Sequence, residues 1–217
     1  MRYSCLVLDH DDTTVASSEV VHYPSFCYSM SYLRPEVKMT LQEYYQMTWN
    51  PGMREYYTNV LKLTPEEFEQ ELNDWKRFLS ENIPEAFPGM KELLVEFKQR
   101  GGKIAVVSRN RKEHILRDFE ANGLPVPDLI YGSEHPAEEQ KPSPYPIWRI
   151  MKKLNVKKEE ILVLDDLPLG EKMAEAAGVD FCYADWSHHL PNIEEYMKAK
   201  SLQIFKSPAE FAAFLLK

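Results

Sequence analysis

Tyr3-Ser4-Cys5-Leu6-Val7-Leu8-Asp9-His10-Asp11-Asp12-Thr13 is an apolar run that stops abruptly on a cluster of carboxylates. Its aliphatic part reads as a strand buried on both faces. The next run of the same kind, Lys103-Ile104-Ala105-Val106-Val107-Ser108, lies far downstream, although a single strand–helix–strand crossover needs only about 30 residues. Beyond it the pattern alternates steadily. A helix is expected over Arg111-Asn122, closed by Gly123, then a strand over Asp128-Tyr131, a helix over Pro144-Leu154 and a strand over Ile161-Leu164. A helix over Leu169-Ala177 stopped by Gly178, a strand over Val179-Tyr183, a last strand over Leu202-Phe205 and a terminal helix from Pro208 complete the series. Such alternation predicts an α/β chain with a Rossmann-like, doubly wound parallel sheet.

The surplus between the first two strands differs in composition, being rich in Tyr, Met and Trp. Within it Thr64-Pro65-Glu66-Glu67 combines an N-cap, a proline at the first helical position and a glutamate at the third, which is a capping-box start. Phe68, Leu72, Trp75 and Leu79 then recur at helical spacing and are expected to form one buried face. Residues 16–83 are read as an inserted α-helical cap domain and residues 1–15 with 84–217 as the core, re-entered at the Pro88-Gly89 turn. The alternative is that these helices pack directly on the sheet within one domain.

The 217 residues carry 26 Lys and Arg against 34 Asp and Glu, a net charge of -8, with no basic stripe, so no nucleic-acid partner is expected. No apolar stretch approaches the roughly 20 residues that cross a membrane. Cys5, Cys27 and Cys182 are scattered without metal-ligand spacing, and the chain opens into a strand without a signal-like segment; both point to a reducing cytoplasm. The residues say nothing of oligomeric state.

Four short pieces sit where predicted strands run out or open the helix that follows: Asp9 to Thr13, Ser108, Lys141 and Asp165-Asp166. In parallel sheets that edge is where ligands bind. Asp9 and Asp11, two residues apart, repel each other unless a proton or cation is shared. With Asp165 and Asp166 they make an oxygen-rich set suited to a hard ion such as Mg²⁺. Taken singly, each acidic pair also fits a solvated turn. Ser108, followed by Arg109 and Asn110, supplies a hydroxyl and amides for an anion cradle, though a serine that merely caps a helix looks the same. Lys141 stands in Gln140-Lys141-Pro142-Ser143-Pro144, where prolines aim the ammonium; an exposed lysine is the alternative.

The order of the pieces resembles the four motifs of the haloacid dehalogenase superfamily, and the helical insertion is similar to the cap of the branch containing phosphoglycolate phosphatase and β-phosphoglucomutase. The resemblance implies a Mg²⁺-dependent phosphatase acting on a small phosphorylated metabolite. By it, Asp9 is the nucleophile that becomes an aspartyl-phosphate, Asp11 the acid/base and Thr13 the residue that steadies it. Ser108, Arg109, Asn110 and Lys141 would hold the phosphoryl oxygens, and Asp166 would bind Mg²⁺ with Asp9 and the Asp11 carbonyl, with Asp165 beside it. Three positions depart from the pattern: Asp12 replaces a usual glycine, Ala16 a frequent acidic residue and Tyr145 a usual aspartate. A phosphomutase is the alternative activity and a non-catalytic metabolite-binding protein a further one. His22, Tyr23 and Arg54 are the candidate specificity residues of a cap read as a mobile lid.

Overall fold

Six parallel strands form one sheet in the computed structural model, which describes residues 1–217: β1 (Cys5–Leu8), β2 (Lys103–Val107), β3 (Leu129–Tyr131), β4 (Ile161–Asp165), β5 (Asp180–Ala184) and β6 (Gln203–Phe205). Helices α1 (Tyr23–Leu33), α2 (Leu41–Trp49), α3 (Met53–Glu55) and α4 (Pro65–Glu81) fall between β1 and β2. They are followed by α5 (Met90–Gln99), α6 (Lys112–Ala121), α7 (Tyr145–Leu154), α8 (Pro168–Ala177), α9 (Pro191–Lys200) and α10 (Pro208–Leu215). Two compact units result, Met1–Ala16 with Glu85–Lys217, and Ser17–Pro84.

In the first unit the strand order is β3-β2-β1-β4-β5-β6. β1 is therefore central, with Leu8 level with Val106 on one side and Leu164 on the other. All four of its residues are buried, which explains why Cys5-Leu6-Val7-Leu8 is apolar throughout rather than alternating. Leu6, Leu8, Ile104, Val106, Leu162 and Leu164 share a core with Leu93, Leu94 and Phe97 of α5 and with Ile115 and Phe119 of α6. Gly178 takes a left-handed φ of 70° and ends α8 as a helix stop should. α9 has no counterpart in the expected elements. Only Ile193 and Met197 of its residues are buried, so its apolar signal is too thin to read as periodicity.

The chain leaves this unit and re-enters it through a paired crossing. The Ala16 amide donates to the Glu85 carbonyl at 2.9 Å, the Phe87 amide donates to Thr14 at 3.1 Å, and Val15 bridges Ala86 antiparallel.

In the unit Ser17–Pro84, Phe26, Met30, Tyr44, Met47 and Tyr57 form a separate core. Thr64 and Glu67 cap α4 reciprocally, at 3.2 and 2.9 Å, as their spacing predicts. The buried face of α4 differs from the expected one. Leu79 is buried, but Phe68 is 38% exposed and Glu71 is buried instead. Glu71 survives there because the Tyr57 hydroxyl donates to it at 2.7 Å, and burial raises its pKa above the usual carboxylate range. No helix is long and apolar enough to cross a membrane.

Candidate active site

The strand order places the carboxyl ends of β1 and β4 side by side, at the point where the sheet's winding reverses direction. Asp9 follows β1, and its amide donates to Leu164 of β4 at 2.9 Å; Asp165 ends β4 and Asp166 follows it. The carboxylates of Asp9, Asp165 and Asp166 lie within 4.8 Å of one another, all buried. Lys141, from the segment after β3, brings its ammonium to 2.6 Å from Asp9 Oδ1 and 2.8 Å from Asp165 Oδ2.

Burial pushes the Asp9 pKa well above the ordinary carboxylate value; Lys141 opposes the shift, and Asp165, Asp166 and Asp11 add to it. Asp165 is raised for the same first reason. Burial works against a charged Lys141, yet Asp165 and Asp9 outweigh it and lift its pKa above the usual lysine range. One ammonium among three buried carboxylates leaves an excess of negative charge supplied wholly by hard oxygen donors, a donor set that fits a divalent cation.

Asp11 stands apart from that group. Ser108 Oγ donates toward its Oδ2 at 3.4 Å and Asn110 Nδ2 toward its Oδ1 at 3.3 Å, both at the long end for hydrogen bonds. Of the four residues expected around the ion, the carboxylates of Asp9, Asp165 and Asp166 converge, while Asp11, expected there through its backbone carbonyl, has its side chain on the Ser108–Asn110 loop. That loop is internally tied, since the Asn110 amide donates to Ser108 Oγ at 3.0 Å. Ser108 and Asn110 are buried and Arg109 is exposed.

The tight turn after β1 explains two further placements. Asp12 adopts a left-handed φ of 59°, so the aspartate does take the backbone conformation that a glycine accommodates without strain. The turn is closed by Asp12 donating to Val15 at 2.8 Å and Thr14 to His10 at 2.9 Å. Thr13 is thereby aimed across to β4, and its hydroxyl donates to Asp166 Oδ1 at 2.9 Å. The expected partner was Asp11, and this is a correction: the chain reversal at Asp12 separates the two side chains.

His22, Tyr23 and Arg54 belong to the unit Ser17–Pro84. His22 Nδ1 accepts from Trp75 at 3.0 Å under a stacked ring pair, and the Tyr23 hydroxyl donates to the Met39 carbonyl at 2.7 Å. Both hold that unit's helices together. Arg54 is exposed on α3.

Two buried histidines complete the surroundings, and neither is a candidate from sequence. His10 Nε2 meets Asp118 Oδ2 of α6 at 3.0 Å, its ring lies over Phe119, and Arg117 holds the other Asp118 oxygen at 2.7 Å. The pair ties the loop bearing Asp9 and Asp11 to the helix that follows Ser108. A charged residue at Asp118, in helical phase with Ile115 and Phe119, was the available signal. His188, in the loop after β5, meets Asp166 Oδ2 at 3.0 Å. Burial disfavours its charged form, but the hydrogen bond and charge of Asp166 prevail and raise its pKa. Nothing near His188 in the chain marks it.

Gly170 in the first turn of α8 lets Asp165 sit against that helix. A Cβ there would lie 2.1 Å from Asp165 Oδ2 and 2.3 Å from its Cγ. Gly170→Ala is therefore expected to destabilise the protein by about 1–3 kcal/mol through overpacking and to displace Asp165 from Lys141. Urea unfolding and turnover should fall together; wild-type values in both would remove Gly170 from the architecture of the site.

Residues 7–184 match the family model described as haloacid dehalogenase-like hydrolase, and the chain belongs to that family. Its members generally use a divalent metal. One curated relative, carried under the provisional name pyrophosphatase PpaX, from Caldanaerobacter subterraneus subsp. tengcongensis, is 24% identical over 202 residues, covering 86% of this chain and 84% of its own. Among solved structures, a predicted phosphoglycolate phosphatase from Haemophilus somnus 129pt superimposes with a TM-score of 0.78 at 22% identity, covering 99% of this chain and 98% of that one. CbbY from Rhodobacter sphaeroides, solved with phosphate, gives 0.74 at 21% identity with 96% of each chain covered. At these identities the two structures establish the shared fold.

Proposed function

We propose that the protein is a Mg²⁺-dependent phosphatase that hydrolyses a small phosphorylated metabolite through a phosphoryl group carried on Asp9. The observation that carries this reading is the buried ammonium of Lys141 held between Asp9 and Asp165, with Asp11 on a separate pair of donors beside it. Family membership and the phosphatase names among the relatives support it.

In this mechanism an Asp9 carboxylate oxygen attacks phosphorus and the bond to the leaving oxygen breaks, while Asp11 donates the proton that oxygen needs. Asp11 then takes a proton from the attacking water, and inorganic phosphate leaves Asp9 free again. Lys141 and the Ser108–Asn110 loop hold phosphoryl oxygens throughout, since phosphoryl transfer depends mostly on positioning and charge neutralisation. Asp9, Asp165 and Asp166 would hold the ion, which supplies neutralising charge to the transferring group.

Phosphate release from a panel of phosphorylated metabolites, measured with MgCl₂ and again in excess chelator, tests this. Turnover of one or a few compounds, abolished by chelator and restored by Mg²⁺, is expected. Undiminished turnover in chelator, with residual metal excluded by elemental analysis, would remove the ion from the reading. Conversion of a sugar phosphate into its isomer without phosphate release would replace phosphatase by phosphomutase, and inactivity on the whole panel would overturn both.

A further inference from the structure

We propose that His188 is a positioning residue for the cation: it sets Mg²⁺ affinity by locking the carboxylate of Asp166. The inference rests on the reading of Asp9, Asp165 and Asp166 as the ion-holding group.

The three carboxylates of that group are restrained in different ways. Asp9 and Asp165 share the ammonium of Lys141, and Asp165 Oδ1 also accepts from the Leu167 amide at 2.9 Å. Asp166 makes no ion pair with Lys141. It is 2% exposed, and its two oxygens are taken separately, Oδ1 by Thr13 at 2.9 Å and Oδ2 by His188 Nε2 at 3.0 Å. Thr13 comes from the turn after β1 and His188 from the loop after β5, so the Asp166 side chain is gripped from both flanks of β4.

An ionised carboxylate has about four lone-pair sites. One donor on each oxygen fixes the plane of the group while leaving lone pairs for an ion. Without the second donor, Asp166 is free to turn about its terminal torsion away from the like charges of Asp9 and Asp165, and an ion would have to restore its orientation on binding. Partners of metal-ligating groups have effects of about 10–100-fold on affinity when removed. His188 is itself buried, so its ring is held to that direction by packing.

The test is calorimetric titration of MgCl₂ into metal-free full-length protein, with urea unfolding of each variant in chelator as a separate readout. His188→Leu fills a similar volume without an N–H and is expected to bind about 10–100-fold more weakly. His188→Gln retains an N–H at similar reach and is expected to recover affinity to within about threefold of the wild type. Should the leucine variant not fold, His188→Asn, whose amide is too short to reach Asp166, makes the same comparison and is expected to bind as weakly. Weak binding by the short or apolar variants with recovery by glutamine supports the proposal. Wild-type affinity in a folded His188→Leu or His188→Asn protein overturns it and leaves the cation-dependent reading standing. Failure of the wild-type protein to bind Mg²⁺ overturns both.

Discussion

Asp9→Asn should bring phosphate release to background and eliminate the phosphorylated enzyme, whereas Asp11→Asn should lower the rate by about 10²–10⁴-fold and leave the phosphorylation site intact. The two carboxylates stand two residues apart, yet their surroundings differ. Asp9 lies against Lys141 in the buried group, and Asp11 is held at longer range by Ser108 and Asn110. An attacking oxygen needs the ammonium and ion site beside it, and a proton donor needs to stand to one side. The Asp11→Asn defect should be smaller on p-nitrophenyl phosphate, whose leaving group departs without a proton, than on an alkyl phosphate. Mass spectrometry of the phosphorylated peptide should place the group on Asp9; finding it on Asp11 would reverse the roles.

The Asp9 variant carries a second consequence, for stability. The folded-state pKa of Asp9 is raised, so the folded protein binds the proton more tightly than the unfolded chain does. Ionisation of Asp9 therefore opposes folding, by an amount that grows from the unfolded carboxylate value of about 3.9 up to the raised folded value. Asn carries no such charge. In chelator at neutral pH, Asp9→Asn should unfold at higher urea than the wild type, the usual trade between stability and a strained site. A lower midpoint would mean that the bond to Lys141 outweighs the burial of the charge.

Lys141→Met should cost about 3–5 kcal/mol of stability at neutral pH, because it leaves Asp9 and Asp165 buried without their shared cation. The folded pKa of Lys141 is raised, so its stabilisation is present in full below the unfolded lysine value of about 10.4 and is lost only as pH rises through the folded one. At pH 7 nothing is held back. The deficit of the variant should shrink as pH is lowered from 8 to 5, since Asp9 and Asp165 already take up protons more readily than ordinary carboxylates and do so more readily still without the ammonium. Turnover should fall by at least about 10²–10³-fold, the scale for losing one preorganised donor to a developing anion. Chemical denaturation at both pH values decides the matter. A loss below about 1 kcal/mol, equal at both, would mean that solvent already reaches these carboxylates.

The unit that carries the candidate site was legible because its signals are local. A strand buried on both faces reads as an aliphatic run, its end is marked where carboxylates begin, and a parallel sheet brings such ends to one edge. Asp9, Ser108, Lys141 and Asp165 could therefore be assigned to a common edge before any contact was known. The capping box at Thr64 and the helix stop at Gly178 are likewise set by adjacent residues.

What failed to show was every relation that depends on a side chain's direction. Thr13 was expected beside Asp11 but turns to Asp166, 153 positions away, because the left-handed residue at Asp12 reverses the chain between them. Phe68 was expected on the buried face of α4 but is exposed, and Glu71 is buried; the Tyr57 hydroxyl, which periodicity cannot see, admits the carboxylate. α9 buries too few apolar residues to announce itself.

The amino-acid sequence by itself determined the α/β class and placed Asp9, Asp165 and Asp166 at strand ends, since both rest on local hydrophobic pattern and on the rule that parallel strands share one carboxyl edge; the family was legible through the order and residue types of its motifs. Only the tertiary structure decided how those groups are held. His10 reaches Asp118 across 108 positions and His188 reaches Asp166 across 22, from a different strand end. A buried polar group is stable only where a partner meets it at hydrogen-bond distance, and that partner is chosen by packing, which nothing adjacent in the chain encodes.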